Sequence, residues 1–165
     1  MLSIEVVSVE AAAKATRHAR VVSNDGQASS HEDELKNLSA GAGLVLLPTT
    51  PRARSVELTV ELSSILRQMG TMHAALLVKV DSRKQRLAQE ARQILDGFGV
   101  DVMRAEIPLL AAFEKAEVEG VSVSDAVDDR GRADLRRMGG WAAYCQAAVQ
   151  IRDRLSAAPL DAISA

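Results

Sequence analysis

The chain is poor in aromatic residues and in cysteine, and each shortage excludes a class of structure. Only 2% of its 165 residues are aromatic, so a core must be built from Val, Leu, Ile and Ala. A single cysteine, Cys145, excludes an internal disulfide and a metal site of several cysteines, which suits a reducing cytoplasm. No apolar run approaches the roughly 18 residues that span a bilayer. We therefore expect a cytoplasmic protein without a membrane span.

Net charge is also small, because 20 basic residues nearly balance 22 acidic ones and leave −2. Such a balance gives no global attraction to nucleic acid or acidic lipid, so either role would need a local basic patch. The hydrophobic share of 47% and the charged share of 25% are typical of a globular domain. We predict one domain over residues 1–155, followed by a small-residue tail at 156–165.

Short apolar runs alternate with helical patterns along the chain. The predicted strands cover residues 4–9, 20–23, 44–47, 74–80 and 100–103. The predicted helices cover residues 10–17, 31–38, 55–69, 82–95 and 132–155. Buried strands that alternate with helices predict an α/β fold, with a mostly parallel sheet flanked by helices.

The apolar spacing predicts which side of each helix faces the core. The inward residues are expected to be Leu58, Leu62, Ile65 and Met69 in helix 55–69, then Leu87, Ala91 and Ile94 in helix 82–95. In the last helix they are Leu135, Met138, Ala142, Cys145, Val149 and Leu155. Gly139 and Gly140 within that helix indicate a kink or a close packing contact. Trp141 and Tyr144 are expected to anchor the core or an interface.

Turn residues follow three of the predicted strands. The three turns are Asn24-Asp25-Gly26, Pro48-Thr49-Thr50-Pro51 and Lys79-Val80-Asp81. Parallel strands bring such turns to one sheet edge, where ligands bind in open α/β sheets. A purely structural interpretation has Thr50 capping the next helix, Pro51 in its first turn and Lys79 extended along the surface. It also has Asp81 as a cap, beside a capping box opened by Ser82.

Several of these segments together carry a family resemblance. They are VVSNDGQAS, LVLLPTTPRAR, LLVKVDSRKQ, ARQILDGFGVDV and WAAYCQAAVQI, with Phe113, Ala116 and Gly120 in EIPLLAAFEKAEVEG. In this order they resemble the C-terminal two-thirds of the ParA-type partition ATPases, which include Soj and MinD. The resemblance runs from about Val21 to about Leu155. It implies a P-loop NTPase-like fold of the SIMIBI type.

The resemblance also implies a nucleotide crevice between two subunits, non-specific DNA binding by the dimer and stimulation by a ParB-type partner. The residues that it places in the crevice are Asp25, Pro48, Thr49, Thr50, Lys79 and Asp81. The family's phosphate loop ends in Gly-Lys-Thr, but no Gly-Lys pair occurs in this sequence. Either Ser23 or Asp25 takes the place of the family's metal-side aspartate. We expect the crevice to be vestigial, with ATP and Mg²⁺ bound only if another segment supplies the loop.

Two functional interpretations remain open, beside a regulatory α/β domain with an unrelated ligand. One is a ParA-like protein of DNA partition or cargo positioning, unable to hydrolyse ATP alone, which acts as a homodimer or through protein and DNA contacts. The other is part of a split or truncated ParA-type ATPase. Candidate DNA-binding residues form two basic groups: Arg83, Lys84 and Arg86, then Arg130, Arg132, Arg136 and Arg137. A solvated charged face is the alternative, since Asp125, Asp128, Asp129 and Asp134 dilute the second group.

Two further expectations follow. The histidines His18, His31 and His73 lack ligand spacing, so we predict no metal site. Because the family's phosphate-loop strand lies between two others, we also predict that Val21-Val22 pairs directly with Val45-Leu46 or that another chain fills the gap.

Overall fold

Three parallel strands form one sheet within the residues that the structure describes. The structure, a computed structural model, describes residues 39, 42–123, 125 and 135–157, with side chains from residue 139 onward in the last segment. The strands are β1 (Val45–Thr49), β2 (His73–Val80) and β3 (Val102–Pro108), in the spatial order β1-β2-β3. Both pairings are parallel. The predicted α/β class with a parallel sheet is therefore confirmed.

Helices cover both faces of the sheet. They are α1 (Ala53–Gln68), α2 (Gln85–Gly97), α3 (Ala111–Glu119) and α4 (Leu135–Ala157), with a 3₁₀ turn over Ser82–Lys84. The helices α1 and α2 pack on one face and α4 packs on the other. None of the helices in the described ranges is long and apolar enough to cross a membrane.

The middle strand β2 contributes buried side chains to both faces of the sheet. Ala75 and Leu77 point to the layer of α1 and α2, where they join Val56 and Leu95. The intervening residues of β2 point to α4 and join a second cluster that contains Ala74, Leu76, Met103, Ala105, Ile107, Ala143 and Ala147. The apolar character of β2 on both faces is the reason that its sequence is nearly continuous rather than alternating.

Most of the predicted elements within the described ranges are present, with shifted ends. Strand β1 continues through Pro48 and Thr49, where a turn was expected, and β3 extends to Pro108 rather than ending at residue 103. Polar residues at exposed positions along β3 conceal its length in the sequence, because only alternate residues are buried. The predicted elements at 4–9, 10–17, 20–23 and 31–38, and the pairing of Val21-Val22, lie outside the described residues.

The predicted inward faces of α1 and α2 are shifted by about one position, although Ala91 of α2 is buried as predicted. In α1 the buried residues are Val56, Thr59, Ser63 and Leu66, while Leu58 is exposed. In α2 they are Ala88, Ala91 and Leu95, while Leu87 and Ile94 are exposed. The two buried hydroxyls of α1 have hydrogen-bond partners from the sheet, since Thr59 contacts Thr49 and Ser63 contacts His73.

The inward face of α4 also differs from the prediction. Ala143 and Ala147 are buried and Ile151 packs beside them, whereas Ala142, Cys145, Val149 and Leu155 are exposed. Alanines allow the α4 backbone to approach β3 closely, so the larger apolar residues are left on the outer side. Cys145 is therefore a surface thiol rather than a core residue.

Gly140 is a close packing contact between α4 and α3. A Cβ atom at this position would lie 2.9 Å from Cζ of Phe113 and 3.2 Å from Cδ1 of Leu110. Phe113 also meets Tyr144 edge to face, with ring centroids 5.7 Å apart. The contact predicted for the glycine pair is thus confirmed at Gly140, while Gly139 faces open space.

Among the described strands β1 lies at one edge of the sheet, and its outward side offers few hydrogen-bond donors. Val45 donates its N–H to the residue before β2, so odd-numbered residues of β1 face β2 and even-numbered ones face outward. Among the outward residues, Pro48 has no N–H, and the N–H of Thr50 is bound by Oγ of Ser55 at 3.0 Å. Leu46 therefore supplies the one outward backbone donor within β1.

Candidate functional site at the carboxyl edge of the sheet

The ends of β1 and β2 bring two of the predicted turns together. Because the strands are parallel neighbours, Thr49 and Val80 end at the same sheet edge. Thr50 and Asp81 follow them directly, and the N–H of Leu109 after β3 donates to the carbonyl of Val80 at 2.8 Å. The carboxyl edge is therefore built from the turns after three strands. Asp25, the remaining predicted crevice residue, lies outside the described residues.

Thr49 faces α1 and has no exposed surface. Its Oγ1 lies 2.8 Å from Oγ1 of Thr59 and 3.0 Å from the carbonyl oxygen of Leu47. Thr59 in turn lies 2.9 Å from the carbonyl oxygen of Ser55. The two hydroxyl hydrogens can make two of these three hydrogen bonds at a time, and in each arrangement both hydroxyls donate to groups of α1 or β1. Thr49 therefore secures α1 to β1 and presents no hydroxyl to the carboxyl edge.

The start of α1 differs from the predicted cap. The helix begins at Ala53 after Arg52, and no side chain caps it. Thr50 instead gives its backbone N–H to the hydroxyl of Ser55, at 3.0 Å. Pro51 precedes the helix rather than opening its first turn. The prediction of Thr50 as the cap is wrong because a first-turn serine reaches back to the turn.

Asp81 caps the 3₁₀ turn that leads into α2. Its Oδ1 accepts the backbone N–H of Arg83 at 3.0 Å and Nε of the same residue at 3.2 Å. The backbone N–H and then the guanidinium of Arg83 hold the pKa of the Asp81 carboxyl below its usual range. The capping role of Asp81 is confirmed. The capping box opened by Ser82 is not formed, since α2 begins only at Gln85.

The lowered pKa of Asp81 predicts a pH-dependent contribution to stability. A carboxyl group whose pKa is lower in the folded state stabilises the fold at pH values above its unfolded-state pKa. This contribution is lost as the pH falls through the folded-state pKa. We expect Asp81→Asn to destabilise the protein at pH 7 and to be neutral in strong acid, as measured by urea unfolding. Because the backbone N–H is the larger cause, Arg83→Gln should keep most of this pH dependence. Its complete loss in Arg83→Gln would contradict the assignment.

Lys79 adopts a backbone conformation that lysine rarely adopts. Its φ of 54° lies in the left-handed region, which costs a residue with a Cβ about 1–2 kcal/mol. The pairing register of β2 with β3 shifts between Leu77 and Val80. As a result Val80 joins Leu77 in the core, although their spacing in a regular strand would place them on opposite faces, and Lys79 is exposed. The irregularity therefore leaves an ammonium at the sheet edge.

Positive charge is concentrated at this edge. Six basic residues lie near the end of β2 or near the starts of α1 and α2: Arg52, Arg54, Lys79, Arg83, Lys84 and Arg86. The first turns of α1 and α2 contain no acidic residue. Three of the six are paired with acids, namely Arg54 with Glu57, Arg83 with Asp81 and Arg86 with Glu90.

The other three cations of the edge, Arg52, Lys79 and Lys84, are exposed and make no ion pair with any residue that the structure describes. The positive ends of two helix dipoles add to their field. Basic residues at a helix start oppose that dipole, so this arrangement costs stability and strengthens the attraction for anions. Sequence reasoning missed Arg52 and Arg54, although a basic pair directly after a strand-ending proline was visible.

The second predicted basic group is only partly described. Arg130 and Arg132 lie outside the described residues, and Arg136 and Arg137 belong to the first turn of α4 without described side chains. Across the described ranges, no three His, Cys, Asp or Glu side chains are grouped closely enough to hold a metal ion.

A second polar cluster occupies the opposite, amino edge of the sheet. Nδ1 of His73 lies 2.8 Å from the carbonyl oxygen of Thr71, so Nδ1 carries the hydrogen. Nε2 then accepts the hydroxyl of Ser63 at 2.7 Å in the neutral ring. Ser63 is fully buried. This chain of bonds fixes the start of β2 on α1, and it lies far from the carboxyl edge.

The fold and the site together define an α/β domain with a parallel sheet and a cationic carboxyl edge. Compared with models of known protein families and with curated proteins, the chain finds no match.

Proposed function

We propose that this chain is a ParA-like protein of DNA partition or cargo positioning that does not hydrolyse ATP alone. In this proposal the carboxyl edge holds DNA phosphates without reading base sequence. The parallel order of strands, with the Pro-Thr-Thr-Pro turn beside the Lys-Val-Asp turn, agrees with the resemblance on which the proposal rests. A homodimer and a ParB-type partner belong to the same proposal.

The observation that carries the proposal is a set of three exposed cations, Arg52, Lys79 and Lys84, that form no ion pair with a described residue. They follow or end two neighbouring parallel strands, so they lie along one edge rather than around the surface. Phosphate contacts require exposed cations on one side and no particular fold, so a chain of net charge −2 can make them. The strained backbone at Lys79 supports a role for its side chain, since glycine would relieve the strain.

Phosphate binding is better supported than nucleotide hydrolysis by the residues of the crevice. Thr49 is buried against α1, and the carboxylate of Asp81 is held by Arg83. Neither group is presented to a ligand at the edge. The alternative, a chain completed by a separate phosphate-loop segment, predicts a higher melting temperature in Mg²⁺-ATP only after that segment is added.

The test is the salt dependence of binding to a fluorescently labelled DNA duplex of arbitrary sequence, measured by anisotropy. Each cation that contacts a phosphate contributes about 0.9 to the slope of log K against log salt. We expect the variant Arg52→Gln/Lys79→Gly/Lys84→Gln to make that negative slope less steep by about 2–3. Glycine is chosen at Lys79 because it removes the charge while relaxing the backbone, so weaker binding cannot be attributed to unfolding.

The matched control is Arg104→Gln, which removes an exposed cation from the early part of β3. It should leave the slope nearly unchanged. Absence of binding by the unmodified chain at low salt would refute the proposal, and so would an equal loss in the control.

A further inference from the structure

Three of the four aromatic residues of the chain meet at one surface. Phe113 of α3 and Trp141 and Tyr144 of α4 line an open cavity of ≈ 380 Å³ between the two helices. The other residues of this aromatic groove are Ala116, Glu117, Val121, Ser122 and Val123. In a chain with so few aromatic residues, this grouping cannot follow from composition.

The groove is preformed and partly open to solvent. Trp141 is 49% exposed and Tyr144 is 47% exposed, while Phe113 holds Tyr144 edge to face. The tight contact at Gly140 fixes α3 against α4 beneath them. Rigid aromatic side chains that are half exposed lose little conformational entropy on binding, which is typical of the anchor residues of protein interfaces.

The charge around the groove is acidic on the α3 side. Glu117 lines the groove and Glu114 lies one turn earlier, and neither makes an ion pair with a described residue. Lys115, the one basic residue of α3, pairs with Glu119 instead. The acidic residues on the α3 side give the groove a charge opposite to that of the cations Arg52, Lys79 and Lys84. This acidic charge favours a partner that carries positive charge.

We propose that the aromatic groove binds a basic amphipathic helix of a partner protein. An apolar side chain of that helix inserts between Trp141 and Tyr144, and its Lys or Arg residues face Glu117 and Glu114. Apolar anchors spaced along one side of a helix, with charges beside them, suit a groove that lies between two helices. This inference does not depend on DNA binding at the carboxyl edge.

Trp141 is the single tryptophan of the chain, so its fluorescence reports the groove directly. The probe is a synthetic amphipathic helix of leucine and lysine without aromatic residues, compared with the same peptide carrying glutamate for lysine. We expect the lysine peptide to shift Trp141 emission to shorter wavelength in a saturable titration. The glutamate peptide should have no effect at the same concentrations.

Glu117→Gln should weaken binding of the lysine peptide about threefold at low salt. The matched control, Glu61→Gln, removes an exposed carboxylate from α1 on the other face of the sheet and should leave the affinity unchanged. Equal responses to the two peptides, or no response to either, would overturn the proposal. So would a blue shift that grows with protein concentration alone, because the occupant would then be a second copy of the chain.

Discussion

Replacing Leu95 by alanine is expected to lower the free energy of unfolding by about 2–5 kcal/mol. Leu95 has no exposed surface and packs with Leu77 and Val56 between α2, α1 and β2. Alanine would remove most of the buried side chain and leave a cavity that a sheet flanked by two helices cannot easily close. Urea unfolding, followed by circular dichroism, measures the loss.

The matched control lies on the same helix. Leu87 is 45% exposed, so Leu87→Ala should change stability by no more than about 0.5 kcal/mol. Apolar periodicity placed Leu87 inward, so the pair distinguishes the observed face of α2 from the predicted one. Equal losses in the two variants would show that the face described for α2 is incorrect.

The glycine pair of α4 should respond in opposite directions to the same substitution. Alanine is favoured over glycine within a helix by about 1 kcal/mol, and this gain applies to both positions. A Cβ at residue 139 meets nothing within 4 Å, whereas one at residue 140 lies 2.9 Å from the ring of Phe113. We therefore expect Gly139→Ala to stabilise the protein. The Gly140→Ala variant should be less stable than the Gly139→Ala variant by about 1–3 kcal/mol.

Thermal and urea unfolding of the two alanine variants measure that difference in stability. Trp141 fluorescence shows whether it arises at the contact between α3 and α4. Because Trp141 follows Gly140, an opened contact between α3 and α4 should change its emission in Gly140→Ala alone. Similar stabilities for the two variants would mean that Phe113 can move aside. The fixed base of the aromatic groove would then be in doubt.

The strands were predictable because burial on both faces produces continuous apolar runs, as in β2. The buried sides of the helices were harder to predict than the strands. Thr59 and Ser63 look like surface residues in the sequence, but they are buried because Thr49 and His73 supply hydrogen-bond partners from distant segments. Ala143 is buried by the same kind of tertiary effect, since a small residue is needed where α4 approaches the sheet.

The candidate site was predictable in position and not in detail. Parallel strands place the turns at Thr50 and Asp81 on one edge, which follows from topology alone. The left-handed backbone of Lys79 could not be predicted, because nothing local in the sequence favours it and it accompanies a shift in the pairing of β2 with β3. Arg52 is exposed at the N-cap position of α1, and this position is likewise set by the folded turn rather than by the local sequence.

The donor-poor outer edge of β1 has a consequence for association between molecules. A strand laid against it finds carbonyl acceptors at Leu46 and Pro48 but a single N–H at Leu46, so its own carbonyls stay largely unpaired. Fibril growth by stacking of identical strands needs donors and acceptors in equal number along every edge. β1 is therefore a poor template for such growth.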